Sequence, residues 1–225
     1  MVAASPLALA DTMESVWNAG GPVFAFPADL RDAHQVASLT CRVPARMGHP
    51  DILINTPACP LPPNANEGHS IDEWVRVVER NLVAVADLTF AFLPHLLDQS
   101  WGRVLNIGAS TTRNTAAPAG LNAHLTSLAG LQAHTLALAA ELDGTGVTVN
   151  VCRPPAPNQP AHHDSADAPP PQGPSPTGSL RGPQHPPRGA MLRTHAASII
   201  TRLDSAETGA IWNFENAYGV SPDYR

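Results

Sequence analysis

Three neighbouring stretches decide the fold: "RVLNI" (103–107), "GLNAHLTSLAGLQAHTLALAAEL" (120–142) and "VTVNV" (147–151). The outer two are short runs in which Val, Leu and Ile predominate. Such runs are buried on both faces, as strands of a parallel sheet are. The middle stretch is rich in Ala and Leu, and Leu121, Leu125 and Leu128 fall on one helical face. Strand, helix and strand in this order predict an α/β domain with a mostly parallel sheet covered on both faces.

The same alternation extends outward. Residues 6–19 read as a helix stopped by Gly20-Gly21, and "PVFAF" (22–26) as a buried strand. "DAHQVASLTCRVPARMG" has helical spacing but contains Pro44, which predicts a short or kinked helix. "DILIN" (51–55) is a second strand. "SIDE" (70–73) has the form of a capping box and opens a long helix over 71–97. Residues 190–203 read as a helix and "GAIWNFE" (209–215) as a last strand. Twelve of the 24 prolines lie between Arg153 and Gly189, so 153–189 is expected to be a disordered or extended loop within one domain covering 1–225.

Composition narrows the function classes. A chain of 225 residues, 43% hydrophobic, can bury a sizeable core. The net charge of -6 and the lack of a basic run argue against nucleic acid. Cys41, Cys59 and Cys152 show no metal-ligand spacing, and their odd number argues against a disulfide framework. The expectation is a cytoplasmic protein without a metal. No membrane span is expected, since Asp11 and Glu14 interrupt the apolar start. The adjacent histidines of "AHHD" (161–164) lack the spacing of a metal site, and "PPPQGPSP" reads as a spacer or a polyproline ligand.

From about Gly20 to Pro155 the chain resembles the short-chain dehydrogenase/reductase family, with a weaker echo at 190–215. "GGPVFAFPADLRD", "DILINTPA", "VVERNLVAV", "GRVLNIGAS", "HLTSLAGLQAHTLALAAEL" and "VTVNVCRPP" follow its motifs in order. The resemblance implies a doubly wound, Rossmann-like parallel sheet with helices on both faces. It also implies NAD(P)-dependent oxidation or reduction of a small carbonyl or alcohol. Asp29 then occupies the adenine-contacting position, Asn55 another cofactor position, and Asn81 the active-site asparagine. The catalytic serine position falls on Ala109, with Ser110 and Thr111 adjacent.

Two departures bear on activity. The family's Tyr-x-x-x-Lys is represented by His124 and Leu128. The Gly-rich turn T-G-x-x-x-G-x-G is not found in these 225 residues, so the first βαβ unit, roughly 30 residues, has no counterpart. The family's strand order then puts a gap beside "DILIN", so "PVFAF" must pair directly with it, drift, or remain partly ordered. The leading expectation is a divergent member that has lost NAD(P)-dependent redox activity and takes no cofactor. The inherited NAD(P) oxidoreductase is one alternative. Another is a cofactor-free enzyme with His124 as general base and Ser110 or Thr111 orienting substrate.

Each residue also has a plainer reading. His124 could be a histidine left at a cleft rim, Leu128 packing, Asn81 a helix-stabilising amide and Asp29 a loop or cap residue. A last expectation is a homodimer or heterodimer through helices 71–97 and 121–142, the family's usual seam.

Overall fold

The computed structural model describes residues 1–57, 70–108, 121–153, 199 and 201–213. The main sheet has four parallel strands: β3 (Ile52–Asn55), β4 (Gly102–Ile107), β5 (Val147–Arg153) and β6 (Ile211–Asn213), in that spatial order. Four helices accompany the described chain before β5: α1 (Pro6–Asn18), α2 (Ala33–Met47), the composite Ile71–Asp98, and α5 (Asn122–Glu141). The composite helix is α3 (Ile71–Val78), a π-helical turn (Glu79–Val83) and α4 (Ala84–Asp98). The fold class is α/β, as the alternation of apolar runs and helical faces predicts.

Packing follows that alternation. Val104 and Val149 of β4 and β5 face Leu138, Ala139 and Leu142 of α5 and Leu96 of α4. Leu105 and Cys152, one residue further along, face the opposite layer with Trp212 and Leu203. A third cluster joins Val36, Leu39 and Val43 of α2 to Leu88 and Phe92 of α4 and to Phe26. Arg103 of β4 is buried. Its Nε donates to Leu203 O (2.6 Å) and its Nη1 to Gly102 O (2.9 Å) and Gly146 O (3.1 Å).

Several expectations need correction. "PVFAF" is not a five-residue strand: only Phe26–Pro27 (β2) is extended and paired. Its partner is Val2–Ala3 (β1), a strand the sequence reading did not anticipate, and the pair forms a separate parallel two-stranded sheet. Thus β2 drifts from β3 rather than pairing with it, because β1, α1 and β2 form their own strand–helix–strand unit. Pro44 neither shortens nor ends α2, which runs 15 residues to Met47. The proline sits in the last turn and gives up one backbone donor, while Val36, Leu39 and Val43 still bury the helix face. Ser70 does cap the next helix in extended backbone, but its side chain makes no capping hydrogen bond, so the box is not formed. The segments 154–198 and 214–225 lie outside the described residues, and with them nearly all of the Pro-rich loop, most of the helix expected at 190–203 and the end of the last strand.

Candidate functional site

The first turns of α5 and the π-helical turn meet on one side of the helix layer. A π turn inserts an extra residue into a helix and re-aims the side chains around it. Asn81 lies in that turn and is 0% exposed. Its Nδ2 donates to Ser127 Oγ (3.0 Å), and Ser127 Oγ donates to His124 O (2.8 Å). The Oδ1 of Asn81 has no partner among the described residues.

His124 stands three residues before Ser127, hence on the same face of α5. It is half-buried, and its Nδ1 is buried without a hydrogen-bond partner among the described residues. Burial pushes its pKa below the ordinary histidine value, so the imidazole is neutral at pH 7. One turn on, Leu128 is 6% exposed and packs with Val85, Leu131 and Leu82. Trp74 Nε1 and Thr126 Oγ1 both donate to Asn122 Oδ1 (3.4 and 3.3 Å), tying α3 to the start of α5 beside the site. The structure therefore links Asn81 through Ser127 to the backbone carbonyl of His124, not to its imidazole; sequence reasoning missed Ser127. Its signal was available: a hydroxyl three positions after His124, on the face turned to the asparagine.

The two candidate cofactor positions are elsewhere and are engaged. Asn55 ends β3, is buried, and donates through Nδ2 to Thr89 Oγ1 (3.2 Å) and Asn106 Oδ1 (2.9 Å). Asn106 in turn donates to Thr135 Oγ1 (2.9 Å), so the chain of amides and hydroxyls ties β3 and β4 to α4 and α5. Asp29 follows β2 and pairs with Arg31, whose Nη2 lies 2.6 Å from its Oδ2. The Arg31 guanidinium and backbone N–H lower the Asp29 pKa to about 2. Ser110, with Ala109, Thr111 and Thr112, lies outside the described residues, as does "AHHD". Among the described residues no group of three or more His, Cys, Asp or Glu could hold a metal ion.

A family model for short chain dehydrogenase matches residues 1–168. The chain belongs to the short-chain dehydrogenase family.

Several of its relatives are reductases or dehydrogenases by name. It is 31% identical over 153 residues to the ketoacyl reductase HetN of Nostoc sp., covering 68% of this chain and 52% of that one. It is 30% identical over 126 residues to the 3-oxoacyl-[acyl-carrier-protein] reductase FabG of Pseudomonas aeruginosa, covering 56% and 50%. The chain thus spans about half the length of these curated relatives. Among solved structures, an actinorhodin polyketide ketoreductase with NADPH matches with a TM-score of 0.70 and 23% identity, covering 95% of this chain and 84% of that one. A metagenomic short-chain oxidoreductase in complex with NADP matches at 0.61 and 24%, covering 69% of each. These structural likenesses show the fold.

Against the NAD(P) that such a family implies, the candidate donors among the described residues fit poorly. The place one turn after His124 offers a packed leucine where a ribose needs a polar partner. Asn55 spends its amide N–H groups inside the fold, and Asp29 is committed to Arg31. No step through a nicotinamide follows from these residues.

Proposed function

We propose that this chain is a short-chain dehydrogenase scaffold that does not carry out NAD(P)-dependent carbonyl or alcohol redox chemistry. The observation behind the proposal is the pair His124 and Leu128. An imidazole that is neutral at pH 7, its Nδ1 without a partner among the described residues, stands at the family's acid/base position, and a leucine in an apolar cluster stands one turn on. Leu128 has no charge with which to lower the pKa of a proton donor and no polar atom with which to hold a ribose. The test is thermal unfolding with and without saturating NADH and NADPH, followed by an NADPH-oxidation assay over a carbonyl panel. A ligand at 100 times its Kd adds about 2.7 kcal/mol to stability. The expected result is an unmoved transition and no oxidation. A shifted transition, or oxidation that disappears in His124→Ala, would restore the reductase reading that the names of its relatives suggest.

A second reading is supported by the same imidazole: proton transfer without a cofactor, His124 acting as base. A neutral Nδ1 without a partner is free to accept a proton. Its test is the rate of proton abstraction from enolisable ketones against pH. A single ionisation below about pH 6.5 that vanishes in His124→Gln is expected; a flat profile sinks it.

The composite helix Ile71–Asp98 is long and apolar enough to cross a membrane by length and composition alone. One face of it is buried in this chain's own core. Its outer face carries Val83, Phe90 and Leu97, exposed at seven-residue spacing, and α5 adds the exposed Leu136. This supports a dimer through α4 and α5. Light scattering after size exclusion should then give twice the chain mass, reduced to one by Phe90→Glu.

A further inference from the structure

The chain carries a net charge of -6, yet two of its arginines stand together without an acid. Arg42 and Arg46 lie four residues apart on α2, so their side chains leave one helix face a turn apart. Like charges in that relation repel and weaken a helix. Among the described residues no carboxylate pairs with either guanidinium.

Both guanidiniums are drawn to aromatic rings instead. The Arg46 guanidinium carbon lies 5.2 Å from the centre of the Phe24 ring, and that of Arg42 lies 6.0 Å from the centre of Phe26. Arg42 Nη1 also donates to Pro27 O (3.4 Å), which ties this head to the end of β2. Attraction to a ring face leaves the remaining N–H groups of the fork available to an anion. The same two arginines border a cavity of about 580 Å³ whose other walls are apolar: Met13 of α1, Phe24, Phe26 and Ala45 of α2. That volume lies within the range of small-molecule pockets, about 300–1,000 Å³. The arginines are the only charged groups lining it.

The geometry points to a binding site for a small organic carboxylate with a flat apolar body. The carboxylate bridges Arg42 and Arg46, supplies the negative charge that the chain does not place there, and relieves their repulsion. The body lies against Met13, Phe24 and Ala45. The head is a carboxylate rather than a phosphate for an electrostatic reason. Phosphates favour helix N-termini, where backbone N–H groups converge. Arg46 stands in the last turn of α2, where free carbonyls carry partial negative charge, so a single charge is better tolerated than two. The body is apolar because a sugar or a peptide would lose its hydrogen bonds to water against these walls without replacement. The site shares no residue with His124, Asn81 and Ser127, so the inference is independent of the redox question.

The probe is naphthoate, titrated into the full chain by isothermal titration calorimetry. Saturable one-to-one binding with a Kd below about 1 mM is expected. Naphthamide, which keeps the body and lacks the charge, and acetate, which keeps the head and lacks the body, should each bind more weakly by about tenfold or more. Arg42→Gln and Arg46→Gln, both at exposed positions, should each weaken naphthoate binding about tenfold. Ala45→Phe keeps both charges, fills the cavity and should abolish binding. Methyl NMR gives a reading that needs no variant: the Met13 and Ala45 signals should shift when naphthoate is added. Absence of saturable binding, equal binding of naphthamide, binding that both arginine variants leave unchanged, or unmoved methyl signals would overturn the inference. So would inorganic phosphate competing as tightly as naphthoate, since the site would then read charge without a body.

Discussion

At the scale of single residues, the buried polar groups separate into those that hold the fold and those left without partners. His124 and His134 are the second kind. His134 Nε2 is buried without a partner among the described residues, and its ring meets Phe90 edge-on at 5.6 Å. Burial lowers both pKa values below the ordinary histidine value; Glu141 opposes the shift at His134. The unfolded state then binds protons that the folded state refuses. Stability is therefore full above about pH 6.5 and falls as pH drops below it. Denaturant unfolding at pH 7 and pH 5 should show the loss, and His124→Gln with His134→Gln should shrink it. Asp29 has the opposite sign. Its carboxylate stabilises above its unfolded pKa of 3.8, and that contribution is lost as pH falls toward about 2. The pair is a third exposed, so its loss is small and well separated from the histidine effect. The histidine at position 124 was legible in the sequence as an oddity, but its lack of a partner was not, because Ser127 and Asn81 meet only across two helices.

At the scale of elements, turn geometry and helix irregularities matter most. Gly146 precedes β5 at φ +84°, and a Cβ there would collide with Ser100 O at the turn before β4. Gly146→Ala should lower stability by more than about 2 kcal/mol in urea unfolding, from backbone strain together with overlap. Within the sheet, Asn106 links Asn55 to Thr135. Asn106→Leu leaves donors and acceptors on β3 and α5 unsatisfied and should cost about 1–3 kcal/mol. The positions of α2, the composite helix and α5 could be read from apolar spacing alone. The survival of α2 through Pro44 could not, since it depends on the packing of Val36, Leu39 and Val43 against Phe26 and Phe92. The π turn at Glu79–Val83 also left no sequence mark, although it sets where Asn81 points.

At the scale of the whole molecule, Arg103 connects the layers. Its guanidinium holds three carbonyls, from β4, from the turn before β5 and from the helical residues before β6, and lies over the Trp101 ring at 4.3 Å. Arg103→Ala would leave those carbonyls without their donor. A loss of about 3 kcal/mol in chemical denaturation is expected. Arg103→Lys should recover only part of it, because an ammonium cannot span the same fork.

Apolar runs and helical faces determined the class of the fold and the order of β3, α4, β4, α5 and β5, while it is the family resemblance that implies the acid/base and partner positions for His124 and Leu128. These are local properties: burial on both faces demands continuous apolar strands, and a helix turn fixes what lies four residues away. Only the tertiary structure decided which strand β2 joins, that Asn55 serves the core, and that Asn81 bonds Ser127 across two helices. Each of these rests on contacts between segments distant in the chain. A two-residue strand such as Val2–Ala3 has too little periodicity to announce itself before its partner is in place.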